Sequence, residues 1–194
     1  MQAKQNKTHW LAVVGLMSAV AFISNYLSLP LGDVSRVHFG NVFCVLSGIL
    51  LGPLPGGLCA GIGAFFYDLT NPLYADEALI TFCLKFVIGF LAGAIAHSGG
   101  HRGDSFSRNL TGALTGSAAY VALYLAKSFI KDFYLMRNPI ETVLTKLLIK
   151  AGSSLTNAAI AVAVAMLLAP IFIKAMRQAG IYDRLYPARE PDDG

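Results

Sequence analysis

The sequence predicts an all-α integral membrane protein: a compact bundle of six transmembrane helices with a short Gly-rich hairpin formed by the second and third. Three observations carry that expectation. Hydrophobic residues make up 55% of the 194 and charged residues only 13%, about half the charged share of a soluble domain. Six apolar segments follow one another, at about 10–31, 36–52, 56–71, 78–97, 109–131 and 140–174, and the longer ones match the ~20 residues needed to cross hydrocarbon. Segments two and three are short and joined by Gly52-Pro53-Leu54-Pro55-Gly56, a tight turn. The chain therefore divides into a cytoplasmic N-terminal segment (1–9), a membrane domain (10–176) and a cytoplasmic C-terminal tail (177–194).

The first segment follows Lys4 and Lys7, and Ala19-Val20-Ala21 mimics a signal-peptidase site. Its apolar run continues through Phe22, Ile23, Tyr26, Leu27 and Leu29, too long for a cleaved signal, so a retained helix is expected. Direction follows from the basic residues. The amino end, the 98–108 loop (Arg102, Arg108) and the tail (Lys174, Arg177, Arg184, Arg189) lie on one side. Arg36, Arg137 and the helix-edge Lys131 lie on the other. The richer side is cytoplasmic by the positive-inside rule, which puts both termini inside a prokaryotic plasma membrane. Glu190 to Asp193 read as a solvated end.

Several function classes fall away. The net charge of +4 is accounted for by cytoplasmic segments, so nucleic-acid binding is not indicated. Cys44, Cys59 and Cys83 are isolated in apolar runs with no Cys/His cluster, which predicts packing and no metal site. The phosphate-loop pattern is absent, so any nucleotide hydrolysis belongs to a partner. Asn6-Lys7-Thr8 and Asn109-Leu110-Thr111 match glycosylation acceptors but lie on the cytoplasmic side. No cofactor is expected.

Lysines inside apolar segments are the informative exceptions, because each costs at least ~2.5 kcal/mol near a span centre and is usually kept for a role. Lys85 lies roughly 10 Å below the start of its helix and Lys150 about 15 Å below its own. In segment six Thr142, Lys146, Lys150, Ser153 and Asn157 share one helical face, beyond which the helix is nearly all apolar to Leu168. Segment five brings Tyr120, Tyr124, Lys127 and Lys131 to one face; segment four carries Thr81 and Lys85 one turn apart, then Gly89 and Gly93. This pattern predicts a recess opening outward and closing near the midplane. The plainer reading has Lys127, Lys131 and Lys146 snorkelling to the interface, the tyrosines packing, and Lys85 or Lys150 in a structural ion pair, for instance with Asp68. Outside loops around Asp33–His38 and Thr70–Ala78, which contain Arg36 and Tyr74, are placed to close over a ligand.

Small residues mark helix contacts. Gly57-xxx-Gly61 and Ala60-xxx-Ala64 predict internal packing of segment three. Gly15-xxx-Ala19 with Ala12 in segment one fits either internal packing, which spacing alone favours, or an outward face for a partner protein.

From His38 to Gly93 the sequence reads HFGNVFCVLSGILLGPLPGGLCAGIGAFFYDLTNPLYADEALITFCLKFVIGFLAG. The Gly40-Asn41 opening of helix two, the LLGPLPGG turn, the GIGAFFYDL end of helix three and TFCLKFVIGFLAG on helix four resemble the substrate-binding S components of energy-coupling factor (ECF) vitamin transporters. Leu148-Ile149-Lys150-Ala151 also looks like that family. The resemblance implies six helices, a vitamin site near the outer face under loop lids, and a multi-subunit importer. Its partners are a transmembrane coupling protein and two cytoplasmic ATPases, and the subunit itself has no enzymatic activity. Helix-one small residues, often AxxxA, contact the coupling protein in that family; Ala12, Gly15 and Ala19 are the nearest match here. The expected substrate-binding set is Arg36, Asn41, Asp68, Tyr74, Thr81 and Lys85, with Tyr120, Tyr124, Lys127, Lys146, Lys150 and Asn157 from the later helices.

Four lysines against few membrane acids favour a ligand with carboxylate, phosphate or many carbonyl acceptors, such as folate, pantothenate, lipoate or a phosphorylated precursor. Riboflavin, a thiamine precursor, pyridoxine or a corrinoid stay compatible if the lysines pair with Asp68, Asp76, Glu77 or Asp132. The nickel and cobalt branch uses an N-terminal Met-His, and this chain begins Met1-Gln2. Two other classes compete: a non-transport membrane scaffold, and a lipid-modifying enzyme using Asp68, His97 or His101.

Overall fold

The computed structural model describes residues 7–31 and 35–186, with backbone alone over 28–31 and 35–38. Its helices are α1 (Lys7–Tyr26), α2 (Gly40–Leu51), α3 (Pro53–Leu69), α4 (Ala78–Ala96), α5 (Phe106–Ile130), α6 (Ile140–Gln178) and α7 (Ile181–Leu185). One short antiparallel hairpin, β1 (Ser28–Leu31) with β2 (Ser35–His38), joins α1 to α2. The expected first span ran on to residue 31. The chain instead leaves the helix after Tyr26, because Pro30 lacks the N–H that a helix interior requires.

Four of the described helical segments are long and apolar enough to cross a membrane: Lys7–Tyr26, Ala75–Ala96, Phe106–Leu135 and Ile140–Gln178. Helix α2 is only 12 residues long, about 18 Å, and nearly every side chain it carries is buried. It is the central post of the bundle, packed against α1, α3, α4, α5 and α6. The α2–α3 hairpin turns at Gly52 (φ +83) with Pro53 opening α3, a left-handed position followed by a preset helical φ.

Glycine lets α2, α3 and α4 meet backbone to backbone. A Cβ on Gly48 would lie 2.3 Å from the Gly89 carbonyl oxygen, and one on Gly89 would lie 2.4 Å from that of Gly56. Gly57 and Gly61 receive the rings of Phe86 and Phe82, so the small face of α3 packs internally as expected. Ala12, Gly15 and Ala19 are exposed, and a Cβ on Gly15 would meet nothing within 4 Å. The small face of α1 therefore points outward, against the internal packing that spacing alone favours.

The tail also differs from expectation. After Gly180 (φ +65), α7 folds back so that Leu185 is fully buried, and the Tyr186 hydroxyl donates to Leu50 O at 3.0 Å. Aromatic rings make this segment part of the core, with Trp10 edge-on to Tyr186 at 5.8 Å. Glu190–Asp193 lie outside the described residues.

Candidate functional site

The helix ends separate the polar residues into two groups. One end of the bundle gathers the starts of α2, α4 and α6 with the ends of α1, α3 and α5, and carries Lys85, Lys127, Lys131, Lys146 and Lys150. The other carries Arg102, Arg108, Arg177 and Arg184.

At the lysine end, Lys85 points into the protein from the second turn of α4 and is 3% exposed. Its Nζ donates to Asn41 Oδ1 from the first turn of α2 and lies 4.8 Å from the centroid of the Tyr120 ring on α5. Asp68, at the end of α3, stands beside Thr81 and lies within electrostatic reach of Lys85. An ammonium in a low-dielectric interior must be paired or hydrogen-bonded. Here one amide oxygen, one ring face and a nearby carboxylate share that task. Tyr120 stacks on Tyr124 at 5.9 Å, as their one-turn spacing on α5 dictates. Ser128 and Tyr74 lie near the Tyr124 hydroxyl.

Two further clusters surround this centre. Lys127 and Lys131 both bind Glu77, which ends the 3-10 turn Ala75–Glu77 between α3 and α4. Lys150 donates to Asp132 Oδ2 at 3.0 Å and Lys146 stands 3.5 Å from Oδ1. Asp132 occupies a single π-helical turn, Lys131–Leu135, that continues α5. Ser153 and Asn157 are buried further along α6.

The structure thus joins Asn41, Asp68, Thr81, Lys85 and Tyr120 in one cluster, with Tyr124 and Tyr74 beside it. Lys127 belongs to the Glu77 cluster, and Lys146 and Lys150 to the Asp132 cluster. The Arg36 side chain lies outside the described residues. Lys150 pairs with Asp132 rather than Asp68, because the π turn carries that carboxylate to the α6 face. Glu77 and Asp132 each balance only one of the two lysines they hold, so the surplus of cations that favoured an acidic ligand is halved but not removed. Lys85 and Tyr120 are buried, so the recess expected to open onto them is filled by side chains in this structure. Ser117 escaped the sequence reading: its hydroxyl is buried without a hydrogen-bond partner three residues before Tyr120, and an isolated serine in an apolar helix gives no periodic signal.

The arrangement is a polar centre, enclosed by helix ends and roofed by ion pairs, inside a membrane-type bundle. Residues 5–178 match the family model described as ECF-type riboflavin transporter, S component. The chain belongs to this family. It is a membrane-embedded, substrate-binding subunit of vitamin uptake, in a family of transporter components rather than known enzymes. Among solved structures it resembles the S component of a bacterial ECF transporter, with a TM-score of 0.55 and 16% identity over 90% of this chain and 98% of that one. At that identity the likeness speaks for the fold. No curated protein matches the sequence.

Proposed function

We propose that this subunit captures riboflavin, or a closely related flavin, at the lysine end of the bundle, which faces outward. A coupling protein and two ATPases then drive its delivery inward. The observation that carries the reading is the Asn41–Lys85–Tyr120 centre. Riboflavin is uncharged at its ring, planar, and rich in carbonyl acceptors. A buried ammonium with donors to spare and a tyrosine face suit such a ring system. The family description supports the same ligand.

The short α2 and α3 are counted here as the second and third of six membrane crossings, buried by their neighbours. Arg102, Arg108, Arg177 and Arg184 share one end, which supports a cytoplasmic placement for it and for both termini. The exposed Ala12–Gly15–Ala19 face of α1 suits close approach by a coupling-protein helix.

The test is titration of purified protein by quenching of flavin fluorescence. Lys85→Met and Asn41→Leu are expected to weaken binding by about 10–150-fold each, the range for hydrogen bonds made by a charged group. Lys85→Met should also lower thermal stability, since it leaves the buried Asn41 Oδ1 without its donor and Asp68 without its neighbouring cation. Undiminished flavin affinity in both variants would remove this site. Binding of a different vitamin by an intact site would remove only the flavin assignment.

A further inference from the structure

A cleft of about 450 Å³ lies at the arginine end, far from the lysine cluster, between the loop leading into α5 and the last turns of α6. Its wall runs from Met166 to Gln178, roughly 18 Å along the α6 axis. We propose that it holds one anionic phospholipid, with the phosphate at the Lys174 rim and an acyl chain lying along Met166 and Pro170. The proposal rests on the chain residing in a bilayer and is independent of which vitamin is bound.

The charge balance points to an anion. Arg177 is held over the Tyr182 ring at 4.7 Å and donates to Asp104 Oδ2 at 2.6 Å, so its charge is met within the protein. Lys174 is exposed and has no ion-pair partner among the described residues. One uncompensated cation therefore stands at the rim, where phosphate groups of an anionic leaflet are attracted by basic side chains.

The floor calls for a polar group as well. Asn109 lines the cleft, is 5% exposed, and its Nδ2 donates to Gly103 O at 2.5 Å. That bond settles which side-chain atom is which and leaves Oδ1 buried without a donor. Pro170, inside α6, has no N–H, so the Met166 carbonyl loses its helical donor. Asn109 and Met166 both line the cleft, whose apolar part is made by Phe106, Met166, Pro170 and Ile173. A glycerol headgroup supplies hydroxyl donors, its phosphate meets Lys174, and its hydrocarbon covers the apolar wall. Free phosphate matches only the first part of the site. A protein partner is less well served, because the exposed small face belongs to α1, which packs on α2 and α3, while α5 and α6 bound the cleft.

The test uses full-length protein in detergent micelles doped with dioleoylphosphatidylglycerol or dioleoylphosphatidylcholine, with retained lipid counted by native mass spectrometry. Wild type should keep one phosphatidylglycerol in preference to phosphatidylcholine. Retention should fall roughly fivefold in Lys174→Gln and about thirtyfold in Lys174→Glu, with flavin binding and monodispersity unchanged. Millimolar inorganic phosphate should leave retention as it was. Equal retention of the two lipids, or indifference to Lys174→Glu, overturns the proposal. Displacement by inorganic phosphate overturns it in favour of a phosphate site. A lipid-free cleft in which the coupling protein shields Lys174 overturns it in favour of a protein interface.

Discussion

The two ends of this bundle are held together by different physics. Where α2, α3 and α4 converge toward the arginine end, backbone touches backbone through Gly48, Gly56, Gly89 and Gly93. The aromatic side chains of α7 then close the assembly from below. At the lysine end the contacts are made by long charged side chains reaching across connections: Lys127 and Lys131 to Glu77, Lys146 and Lys150 to Asp132. Backbone packing has no slack, because any added atom meets a neighbour that cannot rotate away. Ion pairs carried on flexible stems can open and re-form with little disturbance of the helices. The contrast puts the contacts that cannot yield at the hairpin side and those that can re-form at the lysine side.

The largest effect should come from breaking the rigid half. Gly89→Val places a side chain where the Gly56 carbonyl oxygen already stands 2.4 Å from the ideal Cβ position. The helices must separate, at a cost of about 3 kcal/mol, the upper part of the overpacking range. Thermal unfolding in detergent, followed by tryptophan fluorescence or aggregation, should show a clearly lowered midpoint even with saturating flavin. A midpoint equal to wild type would mean that α3 and α4 are not in backbone contact.

A smaller, different response is expected from the lysine half. Glu77→Gln leaves Lys127 and Lys131 without their shared carboxylate and loosens the connection between α3 and α4. Both pairs are partly exposed, so each is worth no more than about 1 kcal/mol. Flavin dissociation measured by stopped-flow should accelerate about fivefold, while the unfolding midpoint hardly moves. An unchanged off-rate would show that the Glu77 turn does not cover the ligand, and would erase the functional distinction between the two ends.

The sequence makes the glycine-packed half easier to read than the lysine half. Apolar run length locates the spans, and glycine spacing on α3 and α4 announces close helix contacts, because both signals lie within single elements. Helical periodicity likewise places Lys146 and Lys150 on one face. Their partner is a different matter: Asp132 reaches α6 only because α5 ends in a π turn, and no local pattern marks that geometry. The β hairpin was obscured by Leu27, Leu29 and Leu31, which extend the apolar run although Pro30 interrupts helix chemistry. The α5–α6 cleft was invisible for a stronger reason, since Asn109 and Lys174 are distant in sequence and meet only in the folded chain. Family resemblance reached the transporter class; the sharing of Glu77 and Asp132 by two lysines each is a property of the assembled structure.

The finest probe of the comparison is a proton. His97 caps α4 at the arginine end, with Nε2 2.8 Å from Ile49 O and its ring 5.6 Å from that of Tyr186. Since a carbonyl only accepts, Nε2 carries the hydrogen. Burial pushes the imidazole below its ordinary value, and Arg102 nearby acts in the same direction, outweighing the opposing effect of the Ile49 bond. The folded protein therefore holds His97 neutral where the unfolded chain would protonate it. Stability from this residue is intact above about pH 6.5, the unfolded value. It declines as the pH falls from there toward the depressed folded value, because the unfolded state binds the extra proton. Between pH 7.5 and 5 the unfolding midpoint of wild type should drop further than that of His97→Gln, by no more than about 2–4 °C. Flavin off-rates should not share this dependence, since His97 stands at the opposite end from the Glu77 turn. Parallel pH slopes for the two proteins would mean that the His97 ring is hydrated, and that the arginine end is less tightly closed than the lysine end it is contrasted with.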